Sequence, residues 1–290
     1  MKKRIGIDIG GTKIQAGLVL EDKILKKAKA PTPPSPKDGL SLIETLLDEL
    51  TEGEKIKSIG IGVAGFIDLQ KGEIISSPNL PGWNGFALKK AMEERFGKPI
   101  FVDNDVNCAT LAEARLGAAA GKKNVIGIFV GTGIGGGILI DGRLIHGATC
   151  SGAEIGHTTI NPRGPVCMCG KKGCLEAYSG GWAIMKYAGH KVKNVDEVVR
   201  AVEEGKEWAS LSLERAVRAL SIAIANLITT LGPDVVVLGG GVIKASPAIF
   251  EMIKAQVPLI ALPVAMRGVQ IKEAEFKEEA GFLGASLLVE

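Results

Sequence analysis

Residues 5–25 read IGIDIGGTKIQAGLVLEDKIL, and residues 126–145 read IGIFVGTGIGGGILIDGRLI. Each segment opens with an alternating apolar run, the period of a half-buried strand. A turn rich in glycine and threonine follows, then a second apolar run, then an acidic turn. In the second segment the acidic turn is Asp141-Gly142, a pair suited to the left-handed backbone of a tight hairpin. Two such hairpins separated by about 120 residues imply an internal duplication, with each of two related domains presenting one glycine turn. The competing reading is a chance match of two glycine-rich hairpins.

Around the hairpins, strand and helix patterns alternate. Helical spacing runs through 41–50, 86–97, 105–117 and 213–232, and the last residues, EEAGFLGASLLVE, read as a terminal helix. Apolar strands are expected at 56–65, 99–105 and 234–241. Such alternation predicts an α/β fold with mostly parallel sheets. The stretch APTPPSPKDG at 30–39 reads as a surface loop. A chain of 290 residues suits two domains, and with 46% hydrophobic residues each can bury a core.

The 35 basic residues nearly balance the 32 acidic ones, which argues against a nucleic-acid binder. The N-terminal MKKRIGIDIGGTK passes at once into a strand pattern containing Asp8, unlike a signal peptide. No apolar run reaches the roughly 18 residues of a membrane span. The expectation is a soluble cytoplasmic protein with no membrane partner.

Glycine-rich turns let backbone N–H groups approach an anion. In DIGGTK, Gly10 and Gly11 supply that freedom, Thr12 adds a hydroxyl and Lys13 a positive charge. Asp8 stands where a carboxylate can hold a hydrated Mg²⁺. Gly131, Thr132 and Gly133 repeat the logic in GTGIGGG. Neither turn fits the P-loop or dinucleotide-binding spacing. Gly239, Gly240 and Gly241 follow a buried strand, a favourable place for a nucleotide base and ribose, although close helix–strand packing explains them nearly as well. VDNDVN (102–107) sets Asn104 and Asp105 at a strand–helix junction, where a carboxylate can take the proton of an attacking hydroxyl in phosphoryl transfer. An ordinary helix cap is the bland alternative. In SPNLPGWNG (77–85), Asn79, Trp83 and Asn84 suit a polyol, while turn chemistry accounts for most of them.

Cys167, Cys169 and Cys174 lie within eight positions, and His157 stands ten residues ahead of the first. Three soft thiolates and an imidazole match a tetrahedral zinc site. Four protein ligands close the coordination sphere, so the ion's role is structural. A redox pair would read CxxC at a helix start, and the spacing here is CxC, although reactive thiolates beside Lys171 and Lys172 leave a redox centre as the lesser alternative. A zinc-bound imidazole keeps a proton on its second nitrogen, which makes His157 a fixed donor. Glu154 and Glu176 bracket the cluster as hydroxyl acceptors. The alternative is a surface clip that only staples a loop.

DIGGTK, VDNDVN, GTGIGGG, EIGH and CMCGKKGCLE, in this order, resemble the ROK family of repressors, open reading frames and sugar kinases, over essentially the whole chain. The glycine loops alone are not specific, whereas the cysteine signature with EIGH upstream is. The resemblance implies a two-domain actin-like, ribonuclease H-like ATPase fold with an inter-domain cleft. The domains are expected at 1–106 plus 277–290, with the first phosphate loop and the catalytic Asp, and at 107–276, with the second loop, the zinc site and the adenosine region. It further implies Asp105 as catalytic base, and Gly65, Asn79, Asn104, Asp105, Glu154, His157 and Glu176 against the sugar. Asp8, Gly10, Gly11, Thr12 and Lys13 then form the first phosphate loop; Gly131, Thr132 and Gly133 the second; Gly239 to Gly241 the adenosine region. His157, Cys167, Cys169 and Cys174 would hold Zn²⁺. One departure is Ala153, where the family often has glycine before EIGH.

The implied activity is transfer of phosphate from ATP·Mg²⁺ to the primary hydroxyl of a hexose, glucose first, to give the glucose 6-phosphate of glycolysis. The SPNLPGWNG loop resembles that of the family's glucokinases. N-acetylmannosamine, fructose, mannose and allose are the alternative substrates, and a non-catalytic sugar-sensing regulator the alternative class. Regulators carry a DNA-binding helix-turn-helix ahead of the shared body, and this sequence starts at its first strand. The family's habit of dimerising adds an expected homodimer.

Overall fold

The computed structural model describes residues 3–189 and 192–289, so Glu290, the end of the expected terminal helix, lies outside the described residues. The chain forms two compact units, one of Met1–Ala120, Leu144–Gly152 and Phe276–Glu290, the other of Gly121–Arg143 and Ala153–Glu275.

In the first unit, β1 (Lys3–Ile9) and β2 (Lys13–Leu20) form the expected hairpin, with Asp8 opposite Gln15 and Ile9 opposite Ile14. β3 (Lys23–Pro31) extends it antiparallel to β2. This strand has no apolar alternation, because it is an exposed edge where repeated lysines discourage pairing with another chain. Helix α1 (Pro36–Thr51) begins inside the stretch expected to be loop, since proline at the first helical turn needs no hydrogen-bond donor. Next come β4 (Ile59–Val63), the short pair β5 (Phe66–Asp68) and β6 (Glu73–Ser76), α2 (Leu88–Phe96), β7 (Ile100–Asn104) and α3 (Asp105–Arg115). The sheet order is β3-β2-β1-β4-β7, with β4 parallel to both β1 and β7.

The second unit repeats the plan. β8 (Val125–Val130) and β9 (Ile134–Ile140) form the second hairpin, and β10 (Arg143–Leu144) adds the edge. Helices α4 (Glu176–Ser179), α5 (Gly181–Ala188), α6 (Val195–Glu203) and α7 (Glu207–Leu231) follow. Then come β11 (Val235–Gly239), α8 (Gly241–Ala245), α9 (Pro247–Ile260) and β12 (Gln270–Glu273). The order β10-β9-β8-β11-β12 matches the first sheet position for position. The duplication read from the two glycine hairpins is therefore a duplication of whole sheets.

Helix α10 (Ala280–Leu287) returns to the first unit and lies on β1, β4 and α3. Its fit depends on missing side chains. A Cβ on Gly60 would stand 1.8 Å from the Ala285 carbonyl oxygen, and one on Gly284 1.7 Å from that of Cys108. Backbone thus packs on backbone, which fixes the seat of α3. Separate apolar cores, around Ile5, Ile7, Ile61 and Trp83 in one unit and Ile128, Val236, Leu238 and Ile224 in the other, hold the two sheets. Among the described residues no helix is long and apolar enough to cross a membrane.

Candidate active site and metal centre

Asp105 is the first residue of α3, immediately after β7. Asn104 caps the helix: its Oδ1 accepts from the Val106 and Asn107 amides at 2.8 and 3.2 Å, and its Nδ2 donates to the Gly65 carbonyl at 3.1 Å. The bland reading of Asn104 as an N-cap is therefore correct. Gly65 has φ +117°, and a Cβ there would meet the Ser76 oxygen at 2.6 Å, so only glycine presents its carbonyl to Asn104 in this way.

The Asp105 carboxylate accepts from the Val106 amide at 3.0 Å. Burial raises its pKa to about 6 against the lowering effect of nearby amides and the Asn104 side chain. Asp8, at the end of β1, is raised to about 7, first by burial and then by the charge of Asp105, with Lys13 opposing. Two carboxylates that repel in this way form an oxygen donor set that a divalent cation relieves, so Asp8 fits the Mg²⁺ role chemically.

The first glycine turn is closed by the Gly10 amide on the Lys13 carbonyl at 3.0 Å, and the Thr32 hydroxyl donates to the Gly10 carbonyl at 2.6 Å. Gly11 packs on Asn79, whose backbone oxygen would lie 2.6 Å from a Cβ. Asn79 is thus brought to the turn from the SPNLPGWNG loop. Its neighbours there are structural: Trp83 is fully buried and donates to the Pro33 carbonyl at 3.1 Å, and Asn84 accepts from the Ser77 amide at 2.7 Å. Lys13 Nζ is not free to act as a bare charge, because it lies 2.7 Å from a carboxylate oxygen of Glu278.

In the second unit, the Gly131 amide donates to the Gly133 carbonyl at 2.9 Å, which closes the second glycine turn. Glu176, buried at the start of α4, holds this turn from below. Its Oε2 accepts from the Ile134 amide at 2.9 Å, and its Oε1 lies 3.4 Å from Trp182 Nε1. A Cβ on Gly133 would come within 2.3 Å of that carboxylate. Gly239 and Gly240 are packing glycines, since Cβ atoms there would strike the Phe129 ring at 2.7 Å and the Val130 backbone at 2.3 Å. Gly241 has open space before it, and of the three it alone can admit a ligand close to backbone.

The ligand atoms of His157, Cys167, Cys169 and Cys174 all lie within 4.8 Å of one another. Cys167 Sγ stands 3.7 Å from His157 Nδ1, and Cys169 Sγ 3.7 Å from Cys174 Sγ. Zinc–sulfur bonds of about 2.3 Å give tetrahedral edges of about 3.8 Å, so the set fits the ion. The cysteine loop is stitched to the segment after His157: the Ile160 amide donates to the Gly173 carbonyl at 2.7 Å, and the Leu175 amide to the Thr158 carbonyl at 2.9 Å. Burial pushes the Cys167 thiol up to about 12, and a bound cation would reverse that. Glu154 immediately precedes the short 3₁₀ turn Ile155–His157, so it and the imidazole stand within one turn of each other. Because Nδ1 faces the sulfurs, Nε2 is the nitrogen left to donate elsewhere.

Two residues escaped the sequence reading. Asp103 is 4% exposed, and its Oδ2 pairs with His146 Nε2 at 2.7 Å. The hydrogen bond to Asp103 raises the His146 pKa, against an opposing effect of burial. Nothing in the sequence joins two residues 43 positions apart, although a carboxylate buried within a strand demands a partner.

The ROK family model matches residues 4–290. A glucokinase of Thermotoga maritima is 34% identical, with 99% of this chain and 97% of that protein covered. The crystal structure of a ROK hexokinase from Thermus thermophilus superposes with a TM-score of 0.89 at 35% identity, covering 99% of this chain and 97% of the other. That of a ROK glucokinase from Streptomyces griseus, in complex with glucose and AMPPNP, gives 0.82 at 31% identity, covering 99% and 98%. Motifs, doubled sheet and similarity agree: the chain belongs to the ROK family, and its two α/β units are built on that family's actin-like fold.

Proposed function

We propose that this protein is an ATP-dependent hexose kinase that converts glucose to glucose 6-phosphate. The observation that carries the reading is that the chain has both Asp105, a carboxylate raised to about 6 at a strand–helix junction, and two glycine turns in equivalent places of two equivalent sheets. The glucokinase names of the relatives, and the glucose and ATP analogue bound to the Streptomyces griseus enzyme, support the same conclusion.

In this reading Asp105 takes the proton of the sugar's primary hydroxyl as that oxygen attacks the γ-phosphorus. The new O–P bond forms while the bond to the departing ADP oxygen breaks. A base of pKa about 6 is mostly ionised at neutral pH yet a better proton acceptor than an ordinary aspartate. Gly10, Gly11 and Thr12, with Gly131, Thr132 and Gly133, offer backbone amides and hydroxyls to the phosphates. Lys13 serves through its ion pair with Glu278, which holds the ammonium in place. Gly241, with Gly239 and Gly240 shaping the backbone behind it, receives the adenosine. Mg²⁺, when bound beside Asp8, neutralises phosphate charge.

Glu154 and Glu176 accept hydrogen bonds from the other sugar hydroxyls, His157 Nε2–H donates to one, and Asn104 lies against the sugar beside Asp105. Gly65 and Asn79 shape the adjacent backbone. Zn²⁺, held by His157, Cys167, Cys169 and Cys174, keeps the imidazole neutral and oriented. A homodimer in the cytoplasm completes the reading. Leu259, Ile260, Leu262 and Val264, at 85, 44, 51 and 60% exposure, form an apolar strip at the end of α9 that a second copy would cover.

The deciding experiment is a coupled ADP-release assay with glucose, mannose, fructose, allose, N-acetylmannosamine and N-acetylglucosamine. Glucose is expected to give the highest kcat/KM. Sugar binding by calorimetry without ATP turnover would replace the kinase reading with a sensor.

A further inference from the structure

Asp103 is a buried carboxylate with three partners. Its Oδ1 accepts from the Asn104 amide at 2.7 Å and from Asn107 Nδ2 at 2.8 Å, and its Oδ2 is held by His146 Nε2 at 2.7 Å. The first two partners flank Asp105 on the first turn of α3. With the Asn104 cap on the Val106 and Asn107 amides, they fix the backbone from which the Asp105 carboxylate projects. Turning the Asn107 amide over would bring oxygen against oxygen, so Asp103 also sets the Asn107 side chain. The third partner comes from a distant segment, Leu144–Gly152, that packs with this unit. His146 sits at the neck of a loop there, its carbonyl accepting from the Gly152 amide at 2.8 Å. The neck is pinched, since a Cβ on Gly152 would lie 2.6 Å from the Ile145 carbonyl oxygen. The imidazole is therefore presented from a closed loop base, not from a long free side chain.

We propose that His146, acting through Asp103, is a positioning residue for Asp105: it occupies the one carboxylate oxygen of Asp103 that faces away from α3 and so fixes the aim of the base. The proposal rests on the kinase reading for its effect on turnover, and on the hydrogen bonds alone for its effect on α3. An unpaired buried oxygen would draw Asp103 toward solvent or toward new donors. Either movement pulls on the Asn104 amide and on Asn107, one and two residues from Asp105. A displacement of about 1 Å in a reacting group is enough to lower turnover about 100-fold.

The test is a comparison of wild type with His146→Ala, His146→Gln and Asp103→Asn, using glucose and ATP. His146→Ala is expected to lower kcat about 10- to 100-fold, with both KM values within about threefold of wild type. His146→Gln, whose amide places an N–H near the position of Nε2, should recover most of the loss. Added imidazole should restore part of it in His146→Ala, because the His146 side chain is 33% exposed and its place can be reached. In the Asp103→Asn background, His146→Ala should cost nothing more. Unchanged kcat in His146→Ala, a loss confined to KM, or an undiminished loss in the Asp103→Asn background would each overturn the proposal. Amide exchange at Val106 and Asn107 reads the brace without turnover: it should quicken in His146→Ala, and equal rates would refute it. A wild type that turns over no hexose would refute the kinase reading, while the exchange rates would still decide the brace.

Discussion

Glu176 Oε2 accepts the Ile134 amide at 2.9 Å, which ties the second glycine turn to a residue two positions after the zinc-type ligand Cys174. One carboxylate thus stands at the junction of the second glycine turn and the histidine–cysteine cluster. Removing it with Glu176→Ala leaves a buried N–H without its acceptor, a cost of about 1–3 kcal/mol. Glu176→Gln keeps an acceptor oxygen and loses only charge. Thermal denaturation should show a clear loss for the alanine variant and a small one for glutamine. Kinetics should show raised KM for both ATP and hexose in Glu176→Ala, since the proposed function gives this side chain a part in both sites.

The metal centre makes a prediction of its own. Cys169 is exposed, while Cys167 and Cys174 are buried against Ala177 and Trp182, so Cys169→Ser removes a ligand with little loss of packing. Metal analysis should find about one zinc per chain in wild type and much less in this variant. Hexose affinity by calorimetry should fall about 10- to 100-fold with it, because His157 loses its fixed orientation. ATP affinity should change less. Zinc-free wild type that binds hexose at full strength would remove the metal from the pocket.

Asp105 predicts two opposite responses to pH. As the proposed base it must be ionised, so kcat/KM should fall as pH drops through about 6. Its effect on stability has the other sign. Its folded pKa lies above the ordinary carboxylate value, so its stabilising contribution is fully present below the unfolded pKa, near 3.8, and is lost as pH rises through about 6. Asp105→Asn should therefore abolish turnover by about 10²- to 10⁴-fold, yet raise stability by roughly 1 kcal/mol at pH 8, a figure discounted because the residue is only half-buried. Denaturant melts at pH 8 and pH 4 should show the gain at the first and little at the second.

How far the sequence reached depended on the range of each interaction. The hairpins, β7, α3, α10 and the cysteine cluster carry local signals of period, cap or spacing, and the structure has them where they were expected. β3 was missed because its lysines face solvent on an edge and leave no apolar period. Trp83 and Asn84 offered polar groups that turned out to close their own loop. Lys13 looked available to phosphate until Glu278, 265 residues away, was found beside it. Gly239 and Gly240 satisfy packing and Gly241 does not, a distinction that needs Phe129 and Val130 in place. The Asp103–His146 pair is of the same kind: its logic is three-dimensional, and no spacing rule contains it.

The apolar strip after α9 should be an oligomer surface. Leu259 is 85% exposed, the most exposed large apolar residue among the described residues, and its replacement should leave the fold intact. Light scattering should give a dimer for wild type and a monomer for Leu259→Arg, because an arginine buried without a partner opposes association. Equal masses for the two would place any dimer contact elsewhere.

Ala153 has φ +65°, one of six described non-glycine residues in the left-handed region, directly before Glu154. An alanine there costs about 1–2 kcal/mol in contact between its Cβ and its own backbone. Glycine would remove that cost but lose about 0.5–1 kcal/mol more backbone entropy on folding. The first effect is larger, so Ala153→Gly should stabilise the protein by about 0.5–1 kcal/mol and raise its melting temperature by roughly 1–4 °C. The methyl group also restricts the backbone from which Glu154 departs, with the Ala153 carbonyl already accepting from the Ile155 amide at 2.6 Å. A side-by-side sugar panel should therefore show Ala153→Gly accepting a bulkier substituent next to Glu154, with N-acetylmannosamine or N-acetylglucosamine gaining on glucose in kcat/KM. A higher melting temperature with an unchanged sugar ranking would confine Ala153 to stability and leave specificity to other residues.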